Sequence, residues 1–126
     1  MSTTAAQMVA HASTLIGQVS PHEAAGELDR GTAVLLDVRE PVEWEQYIDG
    51  SVQVPRGLLE FDVDGHPSVN YETAEALSHR ARPVVLYCLS GGRSALAAEA
   101  LLRLGFVNPM SLDHGILGWA DAGHPV

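Results

Sequence analysis

The spacing of apolar residues along the chain marks out alternating helices and strands. Ala6, Val9, Ala10 and Ile16 are available for one apolar face, so residues 4 to 16 read as a short helix. Gln18-Val19 is a short extended piece that runs into Ser20-Pro21-His22-Glu23. There Ser20 can cap, Pro21 suits the first helical position and Glu23 completes a capping box, so a helix should run through Leu28 and stop before Gly31. Ala33-Val34-Leu35-Leu36-Asp37 is a continuous apolar run, as a strand covered on both faces requires. Residues 41 to 47 suit a short helix, Asp49-Gly50 a turn, and Ser51-Val52-Gln53-Val54 a strand halted by Pro55. From Arg56 to Asn70, acids and Pro or Gly breakers predict a long excursion, and residues 71 to 80 read as helical with Ala74, Leu77 and Ala81 on one side. Pro83-Val84-Val85-Leu86-Tyr87-Cys88 is the strongest strand signal. Gly91-Gly92 breaks it, and a helix follows from Ser94 to Leu104 with Gly105 at its end. Val107 to Leu112 allows a last strand, and Gly115 to Ala120 a last short helix. The order predicts one α/β domain, a parallel sheet with helices on both faces.

Composition narrows the chemistry. The 126 residues include 7 basic and 16 acidic side chains, a net charge of -9, and 46% are hydrophobic. That is a folded globule whose charge disfavours nonspecific contact with nucleic acid or an anionic membrane. Every basic residue is an arginine, which excludes a Schiff-base lysine and a Walker-type phosphate loop. Cys88 is the single cysteine, so no internal disulfide and no multi-cysteine zinc site can form, and the six histidines lack paired ligand spacing. No metal or other cofactor is called for. The first residues lack a positive charge and a long apolar run, which predicts neither signal peptide nor membrane span. A free thiol of this kind fits a cytoplasmic, reducing setting.

The segment after the strongest strand concentrates the candidate chemistry. Parallel sheets bind ligands at the carboxyl ends of their strands, and Cys88 stands at such an end. It is followed by Leu89-Ser90-Gly91-Gly92-Arg93-Ser94 and then a helix. Two glycines let successive N–H groups turn inward as an anion nest, the helix start adds partial positive charge, and Arg93 adds a full one. A thiol held there should ionise below the usual value of about 8.5 for free cysteine. The competing reading, a small buried hydrophobe ending a core strand, leaves the glycine pair and the arginine unexplained.

The Cys-Leu-Ser-Gly-Gly-Arg-Ser loop resembles the active-site loop of single-domain rhodaneses, the thiosulfate sulfurtransferase-like family. Three further segments agree in order and spacing: Leu36-Asp37-Val38-Arg39-Glu40, the stretch from Glu43 to Ser51, and the run from His114 to Val126 that ends Gly-His-Pro-Val. The resemblance covers roughly residues 18–126, leaving residues 1–17 as an N-terminal helical extension. It implies a central, mainly parallel five-stranded sheet with helices on both faces. It also implies Cys88 as the sulfur-carrying nucleophile, with Leu89, Ser90, Gly91, Gly92, Arg93 and Ser94 binding the substrate. Asp37, Arg39 and Glu43 would be structural beside the site, with Arg39 paired to Glu43 and Asp37 fixing the loop. Arg56, after the third strand, is a candidate anion contact, with a solvated loop arginine as the alternative. The chain departs from the family pattern at Gln46 and Tyr47, where Gly and His are usual, and at His114, where a Gly is common.

The implied reaction is a two-step displacement. Cys88 takes the outer sulfur of an anionic donor such as thiosulfate, and a thiol or cyanide then removes it. Two other readings stay open. A related phosphatase or arsenate reductase uses five residues between Cys and Arg, whereas Leu89, Ser90, Gly91 and Gly92 make four here. A noncatalytic persulfide carrier or docking module would need the same cysteine.

Overall fold

The computed structural model describes residues 2–69 and 73–126. Five strands form one sheet: β1 (Gly17–Val19), β2 (Val34–Asp37), β3 (Val52–Gln53), β4 (Val84–Tyr87) and β5 (Pro109–Leu112), in the order β1-β5-β4-β2-β3. All its pairings are parallel. The helices are α1 (Ala5–Leu15), α2 (Pro21–Asp29), α3 (Leu59–Asp64), α4 (Gly92–Arg103) and α5 (Gly115–Asp121).

The sheet divides the interior into two cores because successive side chains along a strand point to opposite faces. Leu36, Val84, Leu86 and Cys88 face one way, packed with Leu59 and Val63 of α3 and Ala97 and Leu101 of α4. Leu35, Val85 and Tyr87 face the other, with Ala24 of α2 and Ile116 and Trp119 of α5. Helices thus cover both faces. The centre strands β2 and β4 are apolar along nearly their whole length for that reason. Cys88, one residue beyond β4, keeps the alternation and points toward the face that α4 covers.

Several local expectations need correction. In α1 the buried residue is Ala12, with Val9 and Ile16 partly covered, while Ala6 and Ala10 are exposed. This helix lies against α4, where Val9 comes within 3.8 Å of a Cβ placed on Gly92, and Ile16 packs against the core under α4. Residues 41 to 47 form a single 3-10 turn, Pro41–Glu43, rather than a helix. The Arg39 guanidinium takes the Gln46 carbonyl at 2.8 Å, which holds the following chain in a nonhelical course. The excursion after Arg56 contains α3, because Leu59 and Val63, four apart, both enter the core. Gly65 ends it at φ 65°, a left-handed conformation suited to glycine. The helix expected over residues 71 to 80 reduces, among the described residues, to a 3-10 turn Glu75–Leu77 with Leu77 buried and Ala81 exposed. Positions 71 and 72 of that stretch, and position 70 at the end of the excursion, lie outside the described residues. The capping box at Ser20 and Glu23 is present, and α4 starts at Gly92, two residues earlier than its apolar periodicity indicates.

Candidate active site

The site is built on the turn from β4 into α4. Cys88 is only 2% exposed, and its sulfur accepts the Gly91 N–H at 3.1 Å. The Ser94 hydroxyl lies 3.6 Å from the sulfur. Gly91 holds φ at +121°, a conformation that residues with a Cβ rarely adopt, and so lets the loop curl back on the sulfur. Burial is the largest single influence on the thiol and pushes it up. The Ser94 hydroxyl and the backbone N–H groups of Ser94, Gly91 and Ser90 together outweigh it, so the thiol lies below its ordinary value. The thiol is therefore both buried and ringed by donors, not sealed among aliphatic side chains alone. Leu89 and Ser90 form the exposed rim of the loop.

The charged residues are arranged differently from the expectation. Arg39 does not pair with Glu43. Its Nε and Nη2 each reach the Asp37 carboxylate at 2.9 Å, and its backbone N–H donates to the same group at 3.0 Å. The reason is proximity: both side chains leave the end of β2 into the interior, where a charge needs its partner at hand. Glu43 instead holds Arg93 through two hydrogen bonds, Nη1 to Oε1 at 2.6 Å and Nη2 to Oε2 at 2.9 Å. Arg93 thereby holds the Glu43 carboxyl down at about 2. The Arg93 charge is thus already matched by a carboxylate, and neutral donors, the Ser94 hydroxyl and three amides, surround the sulfur.

Asp37 also accepts from the Tyr87 hydroxyl at 3.1 Å, and that oxygen accepts from the Ile48 N–H at 3.1 Å. Tyr87 therefore ties the segment after β2 to the strand that carries Cys88. On the other side, the Ile116 N–H donates to the Cys88 carbonyl at 3.0 Å and the Leu117 N–H to the Leu89 carbonyl at 3.2 Å. Gly115 permits this approach, since a Cβ there would meet both carbonyl oxygens at 2.5 Å. His114 before it has φ 60°, a backbone that favours glycine, which accounts for the glycine usual at that place in the resembling family. A cleft of about 410 Å³ opens beside the loop, lined by Arg39, Glu43, Leu89, Ile116 and Leu117 among others.

Residues 88 to 94 are brought together, and Asp37, Arg39 and Glu43 stand next to them. Arg56 is not. It pairs with Glu60 at 2.8 Å and lines a separate cleft with Met8, Leu96 and Arg103, whose lining includes no residue of the Cys88 loop. Sequence reasoning passed over Tyr87 and Ser111. Ser111 is buried in β5, 2.8 Å from the Ser94 hydroxyl. Ser111 is the one polar residue in β5, Pro109–Leu112, but that alone does not point to Ser94.

A cysteine at the end of a central parallel strand, cradled by the turn into the next helix, defines a class of thiol-loop α/β domains. A family model for the rhodanese-like domain matches residues 20–122, and the chain belongs to that family. A protein of Allochromatium vinosum named sulfurtransferase is 31% identical over 99 residues, covering 78% of this chain and 81% of the relative. MoeZ of Mycobacterium tuberculosis, named a probable adenylyltransferase/sulfurtransferase, is 36% identical over 109 residues. That match covers 85% of this chain, which spans only about a quarter (25%) of the mycobacterial protein's length. A solved structure from Rhodopseudomonas palustris, described as of unknown function and a possible tyrosine phosphatase, superposes with a TM-score of 0.86 at 29% identity. It covers 100% of this chain and 96% of that one.

Proposed function

We propose that the chain transfers a sulfane sulfur through a persulfide on Cys88. The observation that carries this reading is the donor shell on the sulfur: the Gly91 N–H at 3.1 Å, with the Ser90 and Ser94 groups beside it. The thiolate attacks the outer sulfur of a donor such as thiosulfate, a sulfur–sulfur bond forms, and sulfite leaves with the electron pair of the broken bond. The persulfide on Cys88 then gives its terminal sulfur to cyanide or a thiol, and the thiolate returns. No general base is required, because the donor shell favours the ionised form before substrate arrives. The same amides suit the negative charge of the terminal sulfur. Four residues between Cys88 and Arg93 make a tight ring that suits one sulfur atom better than a tetrahedral phosphate. The chemistry suits a reducing compartment such as the cytoplasm.

One observation favours a second reading. The grip of Glu43 on Arg93, in a chain of charge -9, leaves little free positive charge to capture a small anion. A persulfide carrier, loaded by another thiol's persulfide, fits that electrostatics. Mass spectrometry after thiosulfate treatment tests the first reading, which expects one added sulfur on the Cys88 peptide and none on Cys88→Ser. A protein that gains sulfur only from organic persulfides supports the carrier, and one that gains none from any donor overturns both.

A further inference from the structure

Ser111 lies on β5, outside the Cys88 loop. It is 1% exposed, and its hydroxyl has one hydrogen-bond partner among the described residues, the Ser94 hydroxyl at 2.8 Å. A buried hydroxyl proton without an acceptor is costly, so the Ser111 proton belongs on Ser94 Oγ. That assignment fixes what Ser94 can do. Its oxygen accepts from Ser111, and its own proton has two destinations: the Gly91 carbonyl at 3.2 Å and the Cys88 sulfur at 3.6 Å.

We propose that Ser111 is a positioning residue for Cys88: its buried hydroxyl donates to Ser94 Oγ and frees the Ser94 proton to turn toward the sulfur. With Cys88 protonated, the S–H points at Ser94 Oγ and the Ser94 proton goes to the Gly91 carbonyl. When the sulfur loses its proton, the Ser94 O–H turns from that carbonyl to the sulfur, and the Ser111 proton keeps Ser94 Oγ satisfied throughout. A hydroxyl that accepts one hydrogen bond is a better donor in the next, so Ser111 strengthens the contact on the anion from a distance. The pair delivers a neutral dipole to the sulfur from α4 and β5, while Leu89 and Ser90 form the exposed rim of the loop.

The charged and titratable groups around the sulfur are few and known. Arg93, on α4, is held by Glu43 of the 41–43 turn, with Glu40 nearby. His114 precedes α5, and its backbone nitrogen lies near Gly91. Tyr87 and the Asp37–Arg39 pair close the ends of β4 and β2. None of them is hydrogen-bonded to Ser94 or Ser111, so a change at Ser111 reaches Cys88 through Ser94.

The inference rests on the reading of Cys88 as the reactive group. Its test is the pH midpoint of iodoacetamide modification of Cys88, read by mass spectrometry. Ser111→Val and Ser111→Thr have the same shape and differ in the hydroxyl. Ser111→Val should raise the midpoint by about half a pH unit, a roughly threefold loss of thiolate below it. Ser111→Thr should match the parent. In a Ser94→Ala background the Ser111→Val change should have no further effect. A Ser111→Thr protein that behaves like Ser111→Val, no shift with Ser111→Val, or an equal shift in both backgrounds overturns the proposal. A smaller Ser111→Ala change replaces Ser111→Val if valine fails to fold, and His114→Gln measured alongside keeps that imidazole out of the curve. Thiosulfate loading of the parent is scored separately. If no sulfur is ever gained while the midpoints behave as stated, the transfer reading falls and the hydroxyl pair stands.

Discussion

Gly115→Ala measures how much the fold depends on the close approach of α5 to the Cys88 loop. Two costs add. The residue sits at φ +59°, and an L side chain in that left-handed region costs about 1–2 kcal/mol. In addition, its Cβ would lie 2.5 Å from the Cys88 and Leu89 carbonyl oxygens, where real Cβ atoms essentially never come within 3.0 Å. The obstruction is backbone, so the loop or the start of α5 must retreat by about half an ångström or more. Retreat weakens the Ile116 and Leu117 hydrogen bonds onto the loop, each worth about 1 kcal/mol. The total is about 3 kcal/mol, which for a domain of this size lowers the Tm by roughly 10 °C. Gly31→Ala is the control, with φ +67° and nothing within 4 Å of its added Cβ. It should show the backbone cost alone, about 1–2 kcal/mol. Urea unfolding with thermal melts reads both. If Gly115→Ala is no more destabilising than Gly31→Ala, the contact between α5 and the loop is not what demands the glycine.

Ser94→Ala should raise the alkylation midpoint of Cys88 by about one pH unit, since a hydrogen bond to an ionised group is worth roughly 1.5–3 kcal/mol. Arg93→Ala should raise it less, because Glu43 already engages that charge; the reverse order would show that the arginine governs the thiol. Glu43, held at about 2 in the folded protein against an ordinary 4.5, contributes stability that is full above pH 4.5 and fades as pH falls toward 2. Both side chains of the pair are partly exposed, so the contribution is about 1 kcal/mol. Glu43→Gln should flatten that part of an acid unfolding curve, and an unchanged acid limb would contradict the assignment. Aryl phosphates should not be hydrolysed, and turnover that disappears in Cys88→Ser would favour the phosphatase description given to the Rhodopseudomonas relative.

The Cys88 loop was legible in the sequence because its geometry is local. An apolar strand, a cysteine at its end, two glycines and a helix start lie within a few consecutive residues, and glycine at Gly91 states a backbone requirement outright. The ion pairs were not legible. Asp37 and Glu43 are both within reach of Arg39 along the chain, and only the sheet shows that Arg39 turns inward while Glu43 turns toward α4. The same holds for α3, whose Leu59 and Val63 repeat was short and lay among breakers. Its helicity comes from the core it enters rather than from its own propensity. Ser111 failed for another reason. Its meaning lies entirely in a neighbour 17 positions away, and a serine in a short strand carries no mark of that neighbour.

The pairing of Arg93 with Glu43 changes how the site must work. A free arginine beside the sulfur would stabilise a thiolate, but it would also hold any anion that drifts in. Neutral donors behave otherwise, because a dipole's field falls off faster with distance than that of a charge. The Gly91 N–H and the Ser94 hydroxyl act on an atom already seated at 3.1 and 3.6 Å and exert little pull on one still approaching. Such donors suit a charge already bonded to Cys88 better than an anion still in solution. On the reading proposed above, a sulfur carried on Cys88 would suit that arrangement, since the cysteine would supply the attachment and the protein only the match to its charge.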